Sequence, residues 1–282
     1  MADDTPPDLS ALWDARFGLP VPDGVDRTHL DAVARILGRR TIRRYRAEPV
    51  TDGLLDLLIA CARSAPSKSD LQQASILVVK DPAKRATIAG WLPSQPWVGQ
   101  APAFLVFLAD MRRMRRLADI HGMPNDNDNV DGFLNAVVDA ALAMEAFALA
   151  ADAVGLGSCC ISMIRDHIEK ATPLLELPPG VFPIAGLCLG WPENPGRMSM
   201  RLPAEGVVHV DRYDDSGLAD AVAAYDRRRH AQAPIAPSGQ RATEKWGVSE
   251  FCGWSENSAR QMSLPERAGF RAFLARHGVA LA

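Results

Sequence analysis

The stretch from Phe133 to Val154 constrains this chain most. Leu134, Val137, Val138, Ala140, Leu142, Met144, Phe147 and Leu149 place apolar side chains on nearly every face of one helix. A helix that is apolar all round has to be buried, in a large core or at a subunit interface. Asp139, Glu145 and Asp152 interrupt it, and no run of about 20 apolar residues is present to span a bilayer. The rest of the chain must therefore supply elements that cover this helix. With 282 residues it can do so, as one large domain or two small ones.

Those covering elements are of both kinds. Leu30, Val33, Ala34 and Leu37 recur at helical spacing, with Gly38 placed to stop the helix. Thr51-Asp52 caps a second helix whose apolar face is Leu54, Leu55, Leu57, Leu58, Ala60 and Cys61. A hydroxyl-rich loop, Ser64–Ser69, follows. Ser75–Lys80, Phe104–Leu108, Phe182–Gly190 and Val207–Val210 read as buried strands, and Ser158–Ile164 as strand or loop. Lys84–Trp91, Arg165–Ala171 and Pro265–Arg276 read as further helices, Pro93–Trp97 as a loop and residues 230–250 as a linker. Helices and strands without strict alternation predict an α+β fold. Residues 1–28, rich in Pro and Asp, read as an extension before a single domain over 29–282.

Several functions are excluded. A net charge of −3 exerts no global pull toward nucleic acid or an anionic membrane, so any anion site must be local. Five scattered cysteines do not make a disulfide framework, and Met1-Ala2-Asp3-Asp4 lacks the basic start of a signal peptide. A cytoplasmic protein is expected. There is no Gly-x-Gly-x-x-Gly, no Gly-x4-Gly-Lys-Ser/Thr and no Gly-x-Ser-x-Gly. Cys159-Cys160 lacks zinc-ligand spacing and reads as small apolar residues in a strand. The six histidines show no paired spacing. The run from Asn125 to Gly132 alternates acid and amide, but the first and twelfth places of a calcium loop fall on Asn127 and Val138, so a solvated loop is expected.

With no nucleophile, acid–base pair or metal cluster, a cofactor must carry any chemistry. Attention turns to Arg39-Arg40-Thr41-Ile42-Arg43, Ser67 and Ser69, Gln95 and Arg201, residues suited to an anion. These pieces, with Glu48-Pro49-Val50, Leu71-Gln72, Gly155-Leu156-Gly157, Gly186–Pro192, Arg201-Leu202-Pro203 and Trp254-Ser255, resemble the nitroreductase family. Within it the chain is most similar to the NADPH-dependent, oxygen-insensitive nitroreductase and flavin reductase subgroup.

The resemblance implies a three-layer α+β fold, with a mixed central sheet flanked by helices, in an intertwined homodimer binding FMN. Arg39, Arg40, Thr41, Ile42 and Arg43 would wrap the flavin, Arg40 and Arg201 meeting its phosphate and Arg43 its pyrimidine edge. Ser67, Ser69 and Gln95 would bond the ribityl chain and ring, while Cys160, Ile161, Ser162 and Met163 line the ring face. Ser199 stands where the subgroup has a phosphate-binding Lys. The subgroup also has Tyr at the place of Cys160 and glycines at those of Ser162 and Met163. Arg165 and Lys245 would serve NADPH, with NADH as the other donor. The implied activity is a ping-pong two-electron reduction of nitroaromatics, quinones or related small acceptors. The alternatives are a flavin reductase supplying reduced flavin and a non-catalytic FMN carrier.

Overall fold

The computed structural model describes residues 8–26 and 28–281; Met1-Ala2-Asp3-Asp4 lies outside the described residues. In chain order the elements are α1 (Leu9–Phe17), α2 (Leu30–Gly38), α3 (Asp52–Arg63), β1 (Ala74–Val78), α4 (Pro82–Trp91), α5 (Trp97–Gln100), β2 (Ala103–Asp110) and α6 (Arg112–His121). Then come α7 (Val130–Ala153), β3 (Gly157–Ile161), α8 (Ile168–Leu174), β4 (Val181–Gly190), α9 (Leu218–Gln232), α10 (Thr243–Trp246), α11 (Trp254–Met262) and α12 (Phe270–Arg276). The chain divides into two compact units. One joins the residues up to Gly38 with Met198–Glu266; the other joins Arg39–Arg197 with the residues from Arg267 on.

The second unit contains the sheet, in the order β1-β2-β4-β3. β2 and β4 are apolar on both faces because both faces are covered. Leu105, Phe107, Leu187 and Leu189 pack under α3 and α7, meeting Leu55, Leu58, Ala143, Phe147 and Ala151. Phe104, Val106, Cys159, Ile161 and Cys188 face the opposite layer, with Ile88 of α4, Leu92 just after it and Val98 of α5. The expected three layers are present. The four-stranded sheet is not mixed, however: each of its three strand pairings is antiparallel. β2 and β3 run the same way, joined by the long crossover through α7, but β4 inserts between them and reverses each neighbouring pair.

Asn129 caps α7, its side chain accepting from Gly132 N at 2.9 Å. Ala136, Ala140, Ala143, Phe147, Ala148 and Ala151 bury one face of the helix. The opposite face is open within the chain, with Val130, Leu134, Val138 and Leu142 between 39% and 55% exposed. Burial all round, expected from the sequence, is thus completed on one side only.

The first unit draws the N-terminal segment into its structure. Arg16 on α1 is 8% exposed and donates to the carbonyls of Leu37 and Ser199. Asp226 on α9 accepts from Ser255 N and Oγ, capping α11. Residues 230–250 are not a loose linker. Gln240 exchanges two bonds with Ser249, at 2.8 and 2.9 Å, and buried Arg260 donates to Gly247 O. Val207–Val210 is not a strand: Val207, Val208 and Val210 are exposed after a single turn at Ala204–Gly206. Its β-branched side chains favour a strand, but this unit offers no sheet edge among the described residues to pair it. Gly38 falls inside α2 rather than after it, and the last helix starts at Phe270 rather than Pro265.

Candidate functional site

The arginine strip is fixed by its one apolar member. Ile42 is 5% exposed, and its backbone N–H donates to Ser158 O of β3 at 3.0 Å. Two glycines clear the space it fills. A Cβ on Gly157 would lie 2.4 Å from Ile42 Cγ1, and one on Gly196 would lie 2.8 Å from its Cδ1. Tyr45 ties the far end, its hydroxyl donating to Ile42 O at 2.6 Å, and Arg46 N donates to Trp191 O. Burial pushes the Tyr45 phenol far above its ordinary range, so it stays a neutral donor. Ile42 therefore serves as the anchor of the strip.

Each arginine has a distinct setting. Arg39 Nε lies 4.0 Å from Glu145 on α7. Arg40 donates through Nη1 to Pro195 O at 3.3 Å, while its Nε is buried without a hydrogen-bond partner. Arg43 carries its guanidinium 5.2 Å from the centroid of the Trp97 ring. Burial raises the Cys159 thiol above its usual range, and Arg43 and Trp97 beside it pull the other way. The strip, the start of α5 and β3 thus form one cluster.

Strand alternation divides the residues expected to face a ring. Ile161 is 2% exposed and belongs to the core, whereas Cys160 and Ser162 are open to solvent. Met163, in the 3-10 turn Ser162–His167, is half-buried and accepts from Gln95 Nε2. The other half of that amide, Oε1, is buried with no partner. Arg165 donates to Ile184 O.

Ser67 and Ser69 belong to a different cluster, built on Asp139. This carboxylate is 3% exposed and accepts from Ser67 Oγ at 2.7 Å, Lys68 N at 3.1 Å and Gln73 N at 2.9 Å. Ser67 Oγ in turn accepts from Gln72 N at 2.7 Å. Its proton is committed, leaving a lone pair for a ligand. Ser69, Asp70 and Gln72 hold positive φ angles of 51°, 58° and 52°, a strained turn for residues with a Cβ. A cavity of about 420 Å³ adjoins this loop, reached by Ser67, Gln72, Arg113 and Asp139.

Ser199, Arg201 and Lys245 lie in the other unit. Ser199 O accepts from Arg16 and from Arg201 Nη1, and Arg201 N donates to Arg16 O. Lys245 donates to Ser263 O at 3.2 Å and lies over Trp246. Two contributors were missed by sequence reasoning. Trp97 was read only as the end of a loop, although a Trp two residues from Gln95 offers a face for a nearby guanidinium. Asp139 was counted as an interruption of an apolar helix. A carboxylate in such a helix needs buried donors, and the hydroxyl-rich loop was the available source.

The model of the Nitroreductase family matches residues 36–191, and that of the family's C-terminal domain matches residues 199–282. The chain is 33% identical over 222 residues to the FMN reductase (NAD(P)H) of Bacillus subtilis, covering 78% of this chain and 89% of that one. It is 40% identical over 179 residues to the oxygen-insensitive NADPH nitroreductase of Salmonella typhimurium, covering 63% and 72%. Among solved structures, the NADPH:FMN oxidoreductase of Vibrio harveyi complexed with NAD+ superimposes with a TM-score of 0.77 at 29% identity, over 89% of this chain and 99% of that one.

Proposed function

Because this chain belongs to the nitroreductase family, we infer that it is an FMN-dependent NAD(P)H oxidoreductase, as its relatives are named. One observation carries the site. The strip presents Arg40, whose Nε is buried and unpartnered, and Arg43 over Trp97, two residues along the chain from Gln95, whose amide oxygen is also buried and unpartnered. A ligand with a phosphate at one end and a heteroatom-edged ring at the other suits both features, and FMN is such a ligand.

FMN, when bound, supplies the two-electron hydride chemistry, so no protein nucleophile is needed. Arg40 offers a planar fork to the phosphate. Arg43, steadied on Trp97, places fixed positive charge at the pyrimidine edge and favours the charge that reduction adds there. Gln95 orients the ring, and Cys160, Ser162 and Met163 border the space above it. Ser67 contributes an acceptor to the ribityl chain, and Ser69 its exposed hydroxyl. In its own unit Arg201 offers a second guanidinium suited to phosphate, and Arg165 and Lys245 remain candidates for the pyridine nucleotide.

The protein is proposed to act as a homodimer, since the open face of α7 carries four exposed apolar residues, Val130, Leu134, Val138 and Leu142. A cytoplasmic location and a ping-pong cycle reducing nitroaromatics or quinones complete the proposal. A second reading, reduction of free flavin for a partner enzyme, is favoured by the name FMN reductase carried by a relative.

Anaerobic mixing of the yellow holoenzyme with NADPH or NADH tests this reading. Flavin absorbance is expected to bleach and to return on adding a nitrofuran or benzoquinone. Return with free FMN alone selects the second reading, no bleaching leaves a flavin carrier, and a colourless protein overturns all three. Arg43→Ala is expected to weaken FMN binding by at least about tenfold, the loss of one charge-assisted hydrogen bond.

A further inference from the structure

The Gln95 amide is poorly matched to its surroundings. Its Nε2 donates to Met163 Sδ, and a thioether is a weak acceptor. Its Oε1 is buried with no partner. Turning the amide over brings no relief, because oxygen would then face sulfur and the nitrogen would be the orphan. The Gln95 backbone, by contrast, is held firmly. Its N–H donates to Leu92 O at 2.8 Å, and its carbonyl accepts from Val98 N at 3.0 Å. Only the side chain is free to change partners. Met163 is placed to release it, because its thioether packs among apolar side chains and loses little when the amide leaves.

We propose that Met163 is a positioning residue that parks Gln95, holding the amide through a weak bond until Gln95 exchanges the sulfur for the polar edge of the flavin ring. The proposal rests on the FMN reading above. Its consequence has a definite sign. Any bond that the free protein gives up on binding its cofactor lowers the cofactor's affinity. Met163 therefore weakens FMN retention, and eases exchange of FMN with the free pool.

The test uses the full-length holoenzyme, with FMN dissociation followed as recovery of free-flavin fluorescence on dilution. Met163→Leu keeps the volume and apolar packing and removes the acceptor. FMN is expected to bind about 3- to 10-fold more tightly, the range for losing one competing hydrogen bond. Met163→Gln places a stronger acceptor at the same position and is expected to weaken FMN several-fold. Gln95→Leu weakens FMN by about tenfold, and in that background Met163→Leu has no further effect. Thermal unfolding of each variant separates lost packing from this exchange. Unchanged or weaker FMN binding in Met163→Leu overturns the proposal, as does an equal effect with and without Gln95. Wild-type protein that binds no FMN overturns the parent reading and this one with it.

Discussion

Two polar regions of the sheet-bearing unit are wired in opposite ways. Around Asp139 one buried carboxylate gathers the donors: Ser67, Lys68 and Gln73 donate to it and Gln72 donates to Ser67, although Gln73 Oε1 is itself buried without a partner. Around the arginine strip the accounting is left open, with Arg40 Nε and Gln95 Oε1 buried and unpartnered. Folded proteins satisfy nearly all buried polar groups, and under the FMN reading proposed above a bound ligand would complete these two. The Asp139 cluster spends its bonds on holding a strained turn at Ser69, Asp70 and Gln72. On the proposed reading the Asp139 region holds the loop that presents Ser67 and Ser69, and the strip offers the open groups to the ligand.

Removing the centre of the Asp139 cluster should have the largest effect. Asp139→Ala leaves three donors without their shared acceptor, at a cost of about 3 kcal/mol or more. The midpoint of chemical denaturation is expected to fall accordingly. Asp139→Asn, which retains one acceptor, should lose less. If Asp139→Ala kept wild-type stability, the reading of Asp139 as the support of that loop would be sunk.

The strip has its own support, and Gly157 tests it. A methyl at Gly157 would meet Ile42 at 2.4 Å, close to the stem of that side chain, where no rotamer moves it clear. Gly157→Ala is expected to cost about 1–3 kcal/mol as overpacking and to shift Arg40 and Arg43 with their anchor. The predicted signature is faster FMN release together with a modestly lower melting temperature. A stability loss with unchanged FMN release would mean that Ile42 and the arginines are not mechanically linked.

The same contrast explains what the sequence disclosed. Layers and most elements were legible because β2, β4 and α3 carry unbroken apolar periodicity. α6, Arg112–His121, was not, because four arginines in its first five residues make it read as a basic stretch rather than as part of the fold. Val207–Val210 misled because strand propensity says nothing of whether an edge is available. At the site, the strip was legible as chemistry, since clustered guanidiniums suit an anion. Its anchoring was not: that Ile42 sits in space cleared by Gly157 and Gly196 depends on residues more than 100 positions away. The Gln95–Met163 bond was equally hidden, because nothing in a thioether's place in the chain says which amide it will meet.

The smallest predicted effect bears on how strongly the strip polarises its neighbours. Cys160 stands beside the strip on β3, where nearby cations normally favour a reactive thiolate. Arg39 does pull in that direction, but the surrounding protein outweighs it and pushes the thiol up to about 11, although part of the residue is open to solvent. A raised value keeps the thiol protonated at neutral pH, with a thiolate fraction of about 0.1% at pH 8. Alkylation of Cys160 by iodoacetamide, read by peptide mass, is therefore expected to be slow at pH 8. It should quicken roughly tenfold per pH unit until the thiol's own pKa is approached. Rapid alkylation at neutral pH would show that the arginines lower the thiol more than desolvation raises it. The strip would then be a stronger electrostatic trap than its open hydrogen bonds alone suggest.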